Sequence, residues 1–285
     1  MPDILITPDD LADLIAAGRR VRVLDVRWRL DRPDGRPEYL AGHVPGAVFV
    51  DLDRELASHG APTDGRHPLP DVSDLQAAAR RWGIDEGDTV VVYDDLASLS
   101  AARAWWVLTD AGIADVRILD GALSAWSRAG HPLEAGDVVP DPGAVVLSAG
   151  HLPQVTIDEA AALAASGALL DVRAPERYRG DVEPMDPRAG HIPGSLNLPT
   201  AGNVGEDGRF LAPEALRRRF EQVGVDDVSP VALSCGSGVS AAHAFVAMRL
   251  AGLQPQLYAG SWSQWSNHPD RPVATGPHPD GSAGG

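Results

Sequence analysis

Val231-Ala-Leu-Ser-Cys235-Gly-Ser-Gly-Val-Ser240-Ala-Ala-His-Ala-Phe245 is the stretch that decides how this chain is read. A short apolar run ends at the cysteine, a loop of small residues follows, and a helical pattern then begins. That is a strand, a tight loop and a helix N-terminus. Glycines at 236 and 238 let the backbone curl so that successive N–H groups point inward. The helix adds its own unpaired N–H groups and the positive end of its dipole. A sulfur at the centre of such a cradle is stabilised as thiolate. Cys235 is the only cysteine in 285 residues. A lone cysteine can equally be a small, inert core residue, but the flanking glycines and the helix start favour a nucleophile.

Outward from this loop the chain repeats itself. Leu24-Asp25-Val26-Arg27 returns as Leu170-Asp171-Val172-Arg173, and Gly42-His43-Val44-Pro45-Gly46-Ala47 as Gly190-His191-Ile192-Pro193-Gly194-Ser195. Gly121-Ala-Leu-Ser-Ala-Trp126 returns as Gly260-Ser-Trp-Ser-Gln-Trp265. The common order and nearly constant separation indicate a domain duplication rather than a solenoid. The length also exceeds what one core usually holds. Each half alternates strands with helices. Strands are predicted at 21–24, 89–93 and 116–119, then at 168–171, 231–234 and 256–258. Helices are predicted at 9–17 (capped through Thr7 and Asp10) and 101–111, then at 157–165, 213–223 and 241–251. The fold class is therefore α/β, two tandem domains, each a mostly parallel sheet flanked by helices. Ligands of such sheets bind beyond the strand carboxyl ends, where Cys235 lies. The expected division is a first domain at 1–135, a linker at 136–150, a catalytic domain at 151–275 and a disordered Gly/Pro/Ser-rich tail at 276–285.

An apolar fraction of 44% and a charged fraction of 22% suit an ordinary globular protein. No apolar run approaches a membrane span, and the N-terminus lacks the features of a targeting signal. A single cysteine fits a reducing cytoplasm. The net charge of −16 argues against nucleic acid and anionic membrane as partners, and an anionic substrate would need a local island of arginine.

Tyr39-Leu-Ala-Gly-His43-Val-Pro-Gly-Ala-Val-Phe-Val50 resembles the N-terminal signature of rhodanese-type sulfurtransferases. Tyr258-Ala-Gly-Ser-Trp-Ser-Gln-Trp265 resembles their C-terminal signature, with Gln264 where Glu is usual. The loop after Cys235 is most similar to that of the 3-mercaptopyruvate sulfurtransferases. Thiosulfate-preferring members tend to carry Arg and Lys where this chain has Gly236 and Ser237. The resemblance implies two similar α/β domains with catalysis at their interface. The first half has Asp94 opposite Cys235, so it would be non-catalytic and supply one wall of the cleft.

The chemistry implied is sulfur transfer from a small anionic donor, 3-mercaptopyruvate or alternatively thiosulfate, through a Cys235 persulfide. The acceptor would be cyanide, a small thiol or thioredoxin, and no metal or organic cofactor is required. By the same resemblance Ser237 and His43 would handle protons, with Asp34 or Asp31 as the acidic member. His43 also reads as a turn residue whose ring bonds backbone, because His191 occupies the same corner of the other half. Arg177 would bind substrate, with Arg188 as second arginine and Arg179 as the other candidate, together with Gly236, Gly238, Val239 and Ser240 of the loop as further substrate-binding residues. Two other classes fit the residues less well. The related phosphatases need an arginine six residues after the cysteine, where this chain has Ala241. A non-enzymatic sulfur carrier or binding module would not need the intact cysteine loop.

Overall fold

Two parallel sheets carry the fold in a computed structural model that describes residues 3–281. The first contains β1 (Leu5–Ile6), β2 (Val21–Asp25), β3 (Val48–Phe49), β4 (Thr89–Tyr93) and β5 (Val116–Leu119), in the order β1-β5-β4-β2-β3. The second contains β6 (Leu169–Asp171), β7 (Leu196–Asn197), β8 (Val231–Ser234) and β9 (Pro255–Leu257), in the order β7-β6-β8-β9. Every pairing within them is parallel. The interior strands β4 and β8 are nearly continuous apolar runs and are buried along almost their whole length, as strands covered on both faces by helices must be.

The repeated motifs do the same work in both sheets. Asp25 and Arg27 form a buried ion pair (2.6 Å), and Arg27 also donates to the Gly42 carbonyl (2.7 Å). Asp171 and Arg173 repeat this at 2.5 Å, with Arg173 on the Gly190 carbonyl at 2.8 Å. The first motif therefore holds the corner made by the second, and it satisfies a buried charge and a buried carbonyl together. In the third motif the Trp126 indole N–H donates to the Pro132 carbonyl and that of Trp265 to the Pro272 carbonyl, both at 2.8 Å.

Local signals account for most helices. Thr7 accepts the Asp10 N–H at the start of helix Pro8–Ala16. Thr156 and Glu159 form a capping box at the start of helix Ile157–Ala165, which satisfies two N–H groups that the helix cannot.

The chain divides into two units. Unit 1 comprises residues 1–58, 69–152 and 204–210; unit 2 comprises 59–68, 153–203 and 211–285. Each half of the sequence thus contributes a short segment to the other half's unit. Residues 136–150, expected to be a linker, belong to unit 1. Val145 and Leu147 are buried, and Gly143, Val145 and Ser148 donate to the carbonyls of Arg80, Ile84 and Ala111. The expectation of a disordered tail fails for 276–281. Gly194 donates to the Pro279 carbonyl at 2.7 Å and Gly276 to that of Arg179 at 2.8 Å. The remainder of that tail, 282–285, lies outside the described residues. Among the described residues no helix is long and apolar enough to cross a membrane.

Candidate active site

In unit 2, β8 ends at Ser234 and helix Val239–Leu250 begins four residues after Cys235. Gly238 makes the turn at φ +81°, a conformation that a side chain would strain. This aims its N–H at the Cys235 sulfur, 3.1 Å away. The sulfur is almost wholly buried. Helix Ser261–Ser266 holds the loop from the other side: the Trp262 and Ser263 N–H groups donate to the carbonyls of Cys235 (2.9 Å) and Gly236 (2.8 Å). The Ser261 hydroxyl accepts the Cys235 N–H at 3.1 Å and lies 3.9 Å from the sulfur. Ser261 has φ +51° and its counterpart Ala122 has φ +58°. The unusual backbone is therefore common to both units, while the hydroxyl belongs to unit 2 alone.

Residues 59–68 complete the site. The turn Pro62–Asp64 is tied by the Asp64 carboxylate to the Ala61 N–H, and the Arg66 N–H donates to the Ser263 hydroxyl at 3.0 Å. This places His67 Nδ1 2.7 Å from the Ser237 hydroxyl, both groups being buried.

Two guanidinium groups border the loop. A Cβ placed on Gly236 would lie 3.0 Å from Arg66 Nη2 and 3.3 Å from Arg177 Nη1. Arg66 pairs with the Asp186 carboxylate, and Arg177 reaches Glu183 at 2.7 Å and Asp186 at 3.5 Å. Arg173 joins Glu183 at 3.4 Å and stacks 4.8 Å from the centre of the Trp262 ring. Burial pushes the Asp186 carboxyl above its usual pKa against the pull of Arg66. Burial also works against the Arg173 cation, but Asp171, Glu183 and Cys235 outweigh it and its pKa stands above the ordinary value.

The structure brings together Cys235, Gly236, Ser237, Gly238 and Arg177 from the sequence reading. Val239 and Ser240 form the first helical turn behind the loop. His43 is a correction. It lies in unit 1 with Nδ1 2.9 Å from the Tyr39 carbonyl and its ring stacked on Tyr39 at 4.2 Å. His191 does the same with Tyr178, at 2.8 and 3.8 Å. Both are corner residues, and the histidine that meets Ser237 is His67. Arg188 is a second correction: it donates to four carbonyls, of Trp265, Ser266, His268 and Arg271, and so braces the chain after helix Ser261–Ser266. Arg179 pairs with Asp181 at the surface. Asp34 accepts the Arg36 N–H in an exposed turn of unit 1, and Asp31 is likewise exposed in unit 1. The carboxylates beside the unit 2 loop are Glu183 and Asp186.

Arg66 and His67 were missed. A signal for them exists. Asp64-Gly65-Arg66-His67 has a counterpart, Asp207-Gly208-Arg209-Phe210, at about the separation of the other repeats. The two stretches lie in the two segments that join the opposite half's unit.

The Rhodanese-like domain profile matches residues 7–129 and 156–268. The chain belongs to the rhodanese family. It is 51% identical over 278 residues to SseB of Mycobacterium tuberculosis, named as a thiosulfate sulfurtransferase, covering 96% of this chain and 97% of that one. It is 35% identical to the 3-mercaptopyruvate sulfurtransferase of Escherichia coli K12, covering 89% and 92%. The crystal structure of SseA from Escherichia coli, described as having the rhodanese fold of 3-mercaptopyruvate sulfotransferases, superposes with a TM-score of 0.81 at 32% identity, over 91% of this chain and 98% of that one. This rhodanese is a sulfurtransferase of the thiosulfate or 3-mercaptopyruvate type.

Proposed function

We propose that this rhodanese moves sulfur from 3-mercaptopyruvate to a thiophilic acceptor through a persulfide on Cys235. The Cys235 thiolate attacks the donor sulfur, an S–S bond forms and the C–S bond breaks, with its electron pair passing to carbon as the enolate of pyruvate. The proton of the donor thiol ends on that carbon and pyruvate leaves. Cyanide or a thiol then takes the outer sulfur and the Cys235 thiolate returns. The two half-reactions predict ping-pong kinetics. The Gly238 N–H supports negative charge at the sulfur, and Arg66 and Arg177 would hold the donor carboxylate.

One observation carries the choice of donor: the hydrogen-bonded pair His67–Ser237 beside Cys235. A mercaptan donor carries a proton that must move from sulfur to carbon, and a hydroxyl–imidazole pair suits that task. Thiosulfate releases sulfite with no proton to move. Thiosulfate remains the second reading, because Arg66 and Arg177 give the loop the cations that Gly236 and Ser237 lack, and because the Mycobacterium relative carries that name. Steady-state kinetics with both donors decide between them. A higher kcat/KM for 3-mercaptopyruvate is expected, and a higher value for thiosulfate would reverse the assignment.

A further inference from the structure

The cations beside Cys235 are already matched by carboxylates. Arg66, Arg173 and Arg177 face Asp171, Glu183 and Asp186. Of these acids only Asp186 meets both arginines that border Gly236. Its side chain is 1% exposed, so its charge is not dissipated in water. Its own N–H donates to Glu183 at 3.2 Å, which fixes it between the two guanidinium groups. The Nε atoms of Arg66 and Arg177 are buried and lack a hydrogen-bond partner, so each guanidinium keeps a donor that Asp186 and Glu183 do not use.

We propose that Asp186 is an internal counter-anion that competes with the donor for Arg66 and Arg177, and thereby sets the choice between singly and doubly charged donors. This rests on the reading that these two arginines hold the donor anion. Guanidinium groups that are mostly buried, as those of Arg66 and Arg177 are, would be costly without an acid partner, so the site needs a carboxylate of its own. An arriving anion must then share the same cations with a fixed negative charge. Repulsion from that charge scales with the charge of the newcomer, so thiosulfate is disfavoured about twice as strongly as a carboxylate in the same place. Asp186 would thus be a specificity-determining residue. It discriminates by repulsion, whereas the arginines attract both donors.

The test uses Asp186→Asn and Asp186→Glu in the full chain. KM and kcat are measured for 3-mercaptopyruvate and thiosulfate. In parallel, protection of Cys235 from iodoacetamide is measured with pyruvate and with sulfate, which needs no turnover. For Asp186→Asn the KM for thiosulfate should fall about tenfold or more relative to that for 3-mercaptopyruvate. Sulfate should gain over pyruvate in protection by a similar factor. Asp186→Glu, which keeps the charge, should keep the wild-type ratio of the two donors. An unchanged ratio in Asp186→Asn, or a parallel rise of both KM values, would overturn the proposal. Should Asp186→Asn not fold, Asp186→Glu carries the test, and a ratio shifted toward thiosulfate in that variant overturns it. If neither anion protects wild-type Cys235, the underlying reading of the arginines fails. If wild type is protected and the variants leave the ratio unmoved, only the role of Asp186 fails.

Discussion

His67 Nδ1 lies 2.7 Å from the hydroxyl of Ser237, although 170 residues separate them in the chain. A buried imidazole bonded to a hydroxyl two residues from the nucleophile is suited to proton transfer and not merely to packing. His67→Ala and Ser237→Ala should each lower kcat with 3-mercaptopyruvate by roughly 10²- to 10⁴-fold. The double variant should lose little more than either single one, because the two act as a unit. Turnover with thiosulfate should be far less affected. Equal losses with both donors would show that the pair only supports the loop.

Cys235→Ser should abolish persulfide formation while leaving the fold intact. Intact-mass measurement after incubation with donor should show the mass of one added sulfur in wild type and none in the variant. More than trace turnover by Cys235→Ser would refute a persulfide on this residue.

The arginines should separate by readout. Arg66→Ala and Arg177→Ala should raise KM for an anionic donor about 10- to 100-fold, the range of a lost charge-assisted hydrogen bond. Arg188→Ala removes a donor from four carbonyls, of which those of Trp265 and His268 keep the N–H groups of His268 and Arg271, and should act on stability, lowering the thermal midpoint by an amount that corresponds to about 3 kcal/mol. A changed KM with an unchanged midpoint in Arg188→Ala would restore it to the substrate site.

His43→Gln should cost about 1–3 kcal/mol by disturbing the stack on Tyr39 and the bond to its carbonyl. The folded variant should keep its kcat. Loss of kcat without loss of stability would return His43 to the chemistry.

Asp94 stands after β4 where Cys235 stands after β8, and its carboxylate accepts the N–H groups of Leu96, Ser98, Ser100 and Ala101. The carboxylate fills the cradle that the sulfur occupies in unit 2. Burial raises its pKa above the ordinary 3.8, and the four N–H groups pull the other way. The folded chain therefore binds this proton more tightly than the unfolded chain. The stability so contributed is present below about pH 3.8 and is lost as pH rises through the folded-state value. Asp94→Asn should remove that contribution, so the variant's denaturation midpoint should decline less with pH just above 3.8 than that of wild type. Identical pH profiles would show that Asp94 does not titrate with folding.

Much of the architecture was legible because it rests on local pattern. The runs at β4, β5 and β8 are apolar, β-branched and bounded by turn residues, and the structure has strands at those bounds. Helix Pro8–Ala16 announces itself through its Thr7 cap. The two-residue strands β1, β3 and β7 are too short to carry a period of two. The stretches 136–150 and 276–281 were misjudged for a different reason. Gly and Pro lower the local preference for regular structure, but they do not prevent a segment from being held by backbone bonds to a neighbouring surface, as Val145 and Pro279 are.

The duplication, the parallel α/β class and the place of Cys235 are written in the chain, because they follow from repeated motifs and from the strand–loop–helix pattern around one residue. Which histidine and which second arginine stand at the loop depends instead on bonds made in the folded chain. His43 and His67 are both polar residues in irregular stretches of the first half, and no periodicity ranks one above the other. What separates them is where the chain is tied down. The Tyr39 carbonyl and ring fix His43 in its corner, while the bond from the Arg66 N–H to the Ser263 hydroxyl carries His67 to Ser237. The bonds that place His67 join residues 197 and 170 positions apart in the chain, and their geometry exists only once unit 2 has folded.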